Sequence, residues 1–221
     1  MEKKADFKTM KKSEIAGFIW DYYKWYIIVG VIIIGVAVSL IHHYISYKDP
    51  VVQIALINCN DEGTKENGQP DFSDFMQKYG YDEGKETVDL LTDYQFSLTS
   101  DDSRQIYTFQ SFIVLTAAGG IDVLAADEEI YEYIAGCKAV EPLDNYLPEK
   151  YMEKYKDDII YVTNEETGKE FAAGIRIPNN KWMVEHGFYE EDCVIGFATG
   201  TTREEAAVRM LLYLLGEEDE S

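Results

Sequence analysis

Outside an apolar run near its start, this sequence holds a single histidine, His186, so a serine or cysteine triad would have one available base. His186 lies in WMVEHGFYEED, a polar stretch that reads as a surface loop or a helix end. A histidine with no visible partner is better read as structural than as catalytic. Asp122 and Asp127 flank a short apolar stretch, and two carboxylates could serve as an acid/base pair. Asp127 is better explained as a helix cap and Asp122 as an edge or turn residue. Trp182 could stack on a sugar, but a core or loop-anchoring role suits an indole equally well and is preferred. Cys59, Cys137 and Cys193 are far apart and show no CxxC or CxxH spacing, which leaves a zinc site without support. Outside the cytoplasm one pair could form a disulfide; three small buried thiols is the preferred reading. Asn58, Asn60 and Glu62 followed by Gly63 resemble the start of a calcium loop, yet its twelfth position is Gln69 where a bidentate Glu is needed. Neither a phosphate-binding glycine loop nor a G-x-S-x-G elbow occurs. The residues therefore assign no catalytic set, no metal, no cofactor and no ligand contact, and the expectation is a protein that is not an enzyme.

The dominant element is Trp25–Ile45, WYIIVGVIIIGVAVSLIHHYI, which contains no Asp, Glu, Lys or Arg. At about 1.5 Å per residue it can cross a hydrocarbon layer of roughly 30 Å. His42 and His43 end this run, and as helix neighbours they point apart, so they read as interfacial residues and not as a shared metal site. Residues 1–24 form a basic and aromatic lead. Ile15, Phe18, Ile19 and Tyr22 share one helical face, and Trp20, Tyr22, Tyr23, Trp25 and Tyr26 make an aromatic belt. This pattern predicts a lead lying along the interface before the chain turns into the bilayer. A docking site for a cytoplasmic partner is the alternative, but anchoring alone accounts for the composition. Six lysines precede the span and only Lys48 is near its far end, which predicts a cytoplasmic N-terminus and an extracellular C-terminal domain at the cell membrane. A cleavable signal would need a small-x-small site; Ala37-x-Ser39 fits but lies within the apolar run, so an uncleaved single-pass anchor is expected. Gly35 and Ser39 could let two helices approach, which is weak support for dimerisation and leaves the oligomeric state open.

Residues 46–221 carry 14 basic and 37 acidic side chains, a net −23, within a chain of net charge −21. Such a domain is repelled by nucleic acid and by anionic lipid, and the acids read chiefly as a solvated face. Seventeen Tyr and ten Phe argue against disorder. Val51–Asn58 reads as a buried strand, Asn60–Pro70 as a polar turn and Asp71–Tyr79 as a short helix. Val88–Leu98 reads as one strand or two, followed by a helix to about Ala118 capped near Ser100, Asp101 or Asp102. Then come a strand at Ile121–Ala126, a helix at Glu128–Ala135 capped by Asp127, and a polar helical piece over Pro148–Lys156. Ile159–Thr163 and Phe171–Ile177 read as a hairpin with its turn at Asn164–Gly168. Cys193–Ala198 is a strand, and Thr201 with Glu204, or Thr202 with Glu205, predicts a capping box for a last helix that ends at Gly216. The tail from Glu217 reads as frayed. The sum is a layered α/β domain with a central mixed sheet, preceded by one transmembrane helix.

Phe112–Leu147, FIVLTAAGGIDVLAADEEIYEYIAGCKAVEPLDNYL, resembles a stretch of the extracellular solute-binding proteins of ABC importers. The likeness rests on Ala118–Val123, on Asp127 opening a helix, and on Pro142–Leu147; the late helix TTREEAAVRMLLYLL is also similar. The resemblance implies an α/β fold and the binding of a small solute, in a reduced, membrane-anchored form, since about 176 residues suit one lobe and not the usual two. No ligand-contacting residue carries over from it. The lead and span, IWDYYKWYIIVGVIIIG, resemble those of uncharacterised single-pass proteins of Gram-positive bacteria. The expectation is a non-catalytic binding domain for a solute or an envelope component. The alternatives are a protein-protein interaction or structural module of the envelope and an envelope-acting hydrolase.

Overall fold

The computed structural model describes residues 12–164, 167–178, 181–190 and 192–217. The first eleven residues of the lead, Glu165 and Glu166 of the predicted turn, and the tail beyond Glu217 lie outside them. So do the side chains of the predicted interfacial face Ile15, Phe18, Ile19 and Tyr22. The chain divides into two units at Tyr47/Lys48.

The first unit is one helix, α1 (Lys12–Ser46). The predicted turn between lead and span is absent: residues 24 and 25 lie mid-helix, because Asp21-Tyr-Tyr-Lys-Trp-Tyr holds neither Gly nor Pro to interrupt the hydrogen-bond ladder. Within it, Tyr23–Tyr44 is long and apolar enough to cross a membrane, and its apolar window contains no buried residue. Trp20, Tyr23, Trp25 and Tyr26 are exposed on the same helix.

The second unit is built on β1 (Asp49–Leu56), α2 (Glu62–Asn67), α3 (Ser73–Tyr79), β2 (Glu86–Leu91), α4 (Ser103–Ala117), β3 (Val123–Ala126) and α5 (Glu128–Gly136). A 3-10 turn at Leu143–Asn145 and α6 (Glu149–Lys154) lead to the hairpin β4 (Ile159–Thr163) and β5 (Glu170–Ile177). The chain ends with α7 (Lys181–Glu185), β6 (Cys193–Phe197) and α8 (Glu204–Leu214). The six strands form one mixed sheet in the order β2-β1-β3-β6-β5-β4. β1 pairs in parallel with both β2 and β3, and the remaining pairs are antiparallel.

Alternation along the strands makes two cores. Val52, Ile54 and Leu56 of β1 face the layer of α3 and α8, while Ala55 and Ile57 face α4 and α5. The chain leaves β1 for β2 over one face, through α3, and crosses to β3 over the other, through α4. That places a topological switch point at the carboxyl ends of β1 and β3.

Where a helix stands in the polar region Asn60–Pro70, the sequence pattern gave only a turn: α2 buries nothing, so it leaves no apolar period to read. β2 begins at Glu86, two residues early, and of the predicted Val88–Leu98 stretch only Val88–Leu91 is strand. No capping box forms on α8. Its N-cap is Arg203, without a side-chain cap bond; Thr201 lies two residues ahead, donating its hydroxyl to Asp122 and accepting from the Arg203 amide at 3.2 Å. Glu217 is held by Lys154 and Tyr155 and is not frayed.

Tyr131 of α5 is fully buried over two strand glycines, Gly174 and Gly196, and donates to the Ala173 carbonyl at 2.9 Å. A Cβ on Gly196 would meet the Tyr131 oxygen at 2.2 Å and the Ala173 carbonyl oxygen at 2.8 Å. Ala173 is the extra residue of a bulge in β5, where the partner of Ile160 is Gly174 and that of Tyr161 is Ala172. Gly196→Ala is therefore expected to destabilise by about 1–3 kcal/mol through overpacking. In a melt this is a drop of roughly 2–4 °C per kcal/mol, whereas an alanine at exposed Gly136 of α5, whose Cβ meets nothing, holds the melt or raises it slightly.

Candidate functional site

β3 is a short extended strand with a carboxylate at each end. At about 3.3 Å per residue, Asp122 and Asp127 lie roughly 16 Å apart along it and do not form an acid/base pair. Asp127 caps α5, accepting from the Ile130 amide at 2.9 Å, as expected from the sequence. Asp122 is fully buried and is neither an edge nor a turn carboxylate. It accepts from the Gln53 amide of β1 at 2.7 Å, from Arg203 Nε at 2.8 Å and from the Thr201 hydroxyl. Arg203 in turn reaches Gln53 Oε1 at 2.9 Å and the Gly119 carbonyl at 3.1 Å. One guanidinium thus joins β1, β3, the turn after α4 and the start of α8. These contacts are all internal, so the group's first role is to hold structure together.

The switch-point crevice is where an α/β sheet ordinarily takes a ligand. Here Tyr189 occupies it. Its hydroxyl lies 2.7 Å from the Ile57 carbonyl at the end of β1 and 3.0 Å from the Ala125 carbonyl of β3, and its one proton serves both. Burial pushes the phenol well above its ordinary pKa. The rim is closed by its own loops. Asn58 exchanges two side-chain bonds with the backbone of Phe96, at 2.8 and 2.9 Å. Gln95 donates to the Cys59 carbonyl at 2.8 Å, and the Asn60 amide to the Phe188 carbonyl at 2.8 Å. The residues that imitate a calcium loop are spent on this closure. Asn60 Oδ1 accepts from the Glu62 amide, and among the described residues no three His, Cys, Asp or Glu side chains are placed to hold a metal.

His186 follows α7. Its Nδ1 lies 2.8 Å from the Trp182 carbonyl, and its ring stacks on Trp182 with centroids 4.4 Å apart. Trp182 stacks also on Phe72, just ahead of α3, and on Phe188, at 5.7 and 5.6 Å. The indole anchors α7 to the domain, the loop-anchoring role preferred from the sequence, and His186 extends that aromatic stack. Tyr189 and Arg203 were not singled out in the sequence, since neither belongs to a spaced motif.

Two of the three thiols are buried, and Cys137 is exposed, against the expectation of three buried ones: it follows the end of α5, where the chain turns outward. Burial pushes the Cys59 and Cys193 thiols up to about 12, with Asp61 adding to the effect at Cys59 and Asp192 at Cys193. A groove of about 490 Å³ runs beside α6 and α8, lined by Tyr146, Tyr151, Val208 and Leu212 with Lys150 and Arg209.

No family model matches the chain, and neither a curated protein nor a solved structure does.

Arg203→Met is expected to cost about 3–5 kcal/mol in urea unfolding, because it leaves the Asp122 carboxylate buried without its cation. Asp122→Leu added to it should recover much of the loss. The raised thiols and phenol also set a pH dependence. Each binds its proton more tightly folded than unfolded, so their stabilisation is complete below an unfolded thiol pKa of 9.0 and is lost as pH rises toward about 12. The melting temperature should hold to about pH 8 and then fall. In the native protein only Cys137 should react promptly with a thiol reagent.

Proposed function

We propose that this chain is a membrane-anchored, non-catalytic module whose acidic α/β domain works outside the cytoplasm by binding a protein of the cell envelope. Tyr189 carries the reading: the crevice in which a sheet of this topology takes a small solute is filled by the chain's own phenol. The exposed apolar stretch Tyr23–Tyr44 supports the anchor, and the lysines before it support a cytoplasmic N-terminus. The wide separation of Asp122 from Asp127 and the aromatic packing of His186 speak against the hydrolase alternative.

A second reading, the reduced solute-binding protein, has one observation in its favour. The groove beside α6 and α8 falls within the 300–1,000 Å³ range of small-molecule sites and is lined by two tyrosines.

Thermal melting against sugars, peptides, amino acids and nucleosides separates the two. A solute at a hundred times its dissociation constant would stabilise by about 2.7 kcal/mol, a shift of several degrees. The module reading expects no saturable shift from any of them; one that is lost in Tyr151→Ala would replace it with solute binding at the groove. The topology is tested by protease added to intact cells, which should remove the acidic domain and spare the lysine-rich lead. Survival of the domain would reverse the orientation.

A further inference from the structure

Each end of the sheet leaves a strand with one neighbour, and the two edges differ. β2 carries Glu86 and Asp89, and Gln69 donates its side-chain amide to the Leu90 carbonyl at 3.0 Å. That edge is charged and partly occupied. β4 reads Ile-Ile-Tyr-Val-Thr, with no charge, no proline and no glycine. Natural edges are usually blunted by a lysine, a proline or an inward charge, and β4 has none of these. The bulge in this pair belongs to β5, so β4 itself is regular.

The ladder fixes which peptide groups are free. Arg176 N donates to Asp158 O, and Asn164 N to Lys169 O, so residues 158 and 164 turn their backbone groups toward β5. Alternation then turns those of 160 and 162 inward and those of Ile159, Tyr161 and Thr163 outward. Side chains agree: Ile160 and Val162 pack with α5 in one core, Ile159 packs in the other, and Tyr161 and Thr163 are exposed. Among the described residues, nothing lies against this outer edge as a further strand.

We infer that the outer edge of β4 is the docking site of the module, and that it takes an extended segment of another protein by strand addition, with basic residues flanking an uncharged β-forming stretch. This rests on the interaction-module reading and names its surface. Main-chain bonds to Ile159, Tyr161 and Thr163 supply the attachment. The charge of the occupant follows from the surroundings. Asp157 and Asp158 precede the strand, Glu170 stands opposite Thr163, and the chain as a whole is at −21. Lys156, the cation beside them, is paired with Glu153. A second copy of this domain would bring the same acids against these and is disfavoured by its own charge.

The test uses the full chain in detergent and a short fluorescein-labelled peptide of alternating valine and threonine with paired lysines at both ends. Fluorescence anisotropy should show saturable binding that weakens with salt. The same peptide flanked by glutamates should bind at least about tenfold more weakly. Tyr161→Pro removes one outward N–H without touching the ladder to β5 and should cost a similar factor at little change in melting temperature. Should that variant fold poorly, Asp157→Lys, at an exposed position, should narrow the gap between the two peptides. Hydrogen exchange of the Tyr161 and Thr163 amides should slow on binding. Equal binding of both peptides, binding indifferent to Tyr161→Pro, or no binding would overturn the inference and leave the module reading standing. Self-association that Tyr161→Pro abolishes would also overturn it, by giving the edge to a second copy. A saturable solute shift at the α6–α8 groove would instead sink the module reading alone.

Discussion

The domain depends on one buried ion pair. Asp122 enters the core at the start of β3, where a buried carboxylate is costly unless it is paired and hydrogen-bonded. Arg203 meets it through Nε at 2.8 Å and turns Nη2 to Gln53 and Gly119. Removing two charges from water is costly, and such a pair roughly breaks even against well-packed apolar side chains. What it fixes is geometry. The Gln53 amide, the Thr201 hydroxyl and the guanidinium each approach the carboxylate from a different segment. The register of β1 against β3 and the starting point of α8 are therefore settled at one place. Gly119 and Gly200 complete it: both have positive φ, and a Cβ on Gly119 would lie 2.5 Å from the Gly200 carbonyl oxygen.

With the middle of β1 and the amino end of β3 locked in this way, the switch point lies at their carboxyl ends, and that place is closed. Asp127 is spent on α5, Asn58 on Phe96, and Tyr189 on two strand carbonyls. A buried polar group is costly when left unpaired, so a solute entering the crevice would have to displace Tyr189 and supply a donor for the Ile57 and Ala125 carbonyls in its stead. Recognition is correspondingly easier at the periphery, where peptide groups already face water.

Elements defined by local pattern were legible in the sequence. The uncharged run from Trp25, the apolar strands and the Asp127 cap each show their signal within a few residues. The ion pair was not legible, because Arg203 lies 81 residues from Asp122. Tyr189 lies 132 residues from Ile57. Both use common residue types at no fixed spacing, so nothing local marks them. Thr201 shows how long-range structure overrides a local signal: its spacing to Glu204 fits a capping box, but α8 begins at Glu204 itself, and Thr201 instead donates to the buried Asp122 carboxylate and accepts from the Arg203 amide. The bulge at Ala173 was hidden for a different reason, since inserting one residue leaves composition unchanged and alters only which face each side chain takes.

A five-residue edge is a small surface. Stable free-standing complexes bury on the order of 1,600 Å², and one added strand with few side-chain pockets falls below that. A tether changes the requirement. If the module and its partner are held at the same membrane, the second contact is made at an effective concentration that reaches the millimolar range for short linkers, and a weak, salt-sensitive strand pairing becomes sufficient. Weakness then has a use, since an edge that bound tightly in isolation would also capture unfolded chains and copies of itself. The strong negative charge of the domain works in the same direction: it repels other copies and most acidic proteins, and it leaves the uncharged strand open to a segment that brings compensating cations.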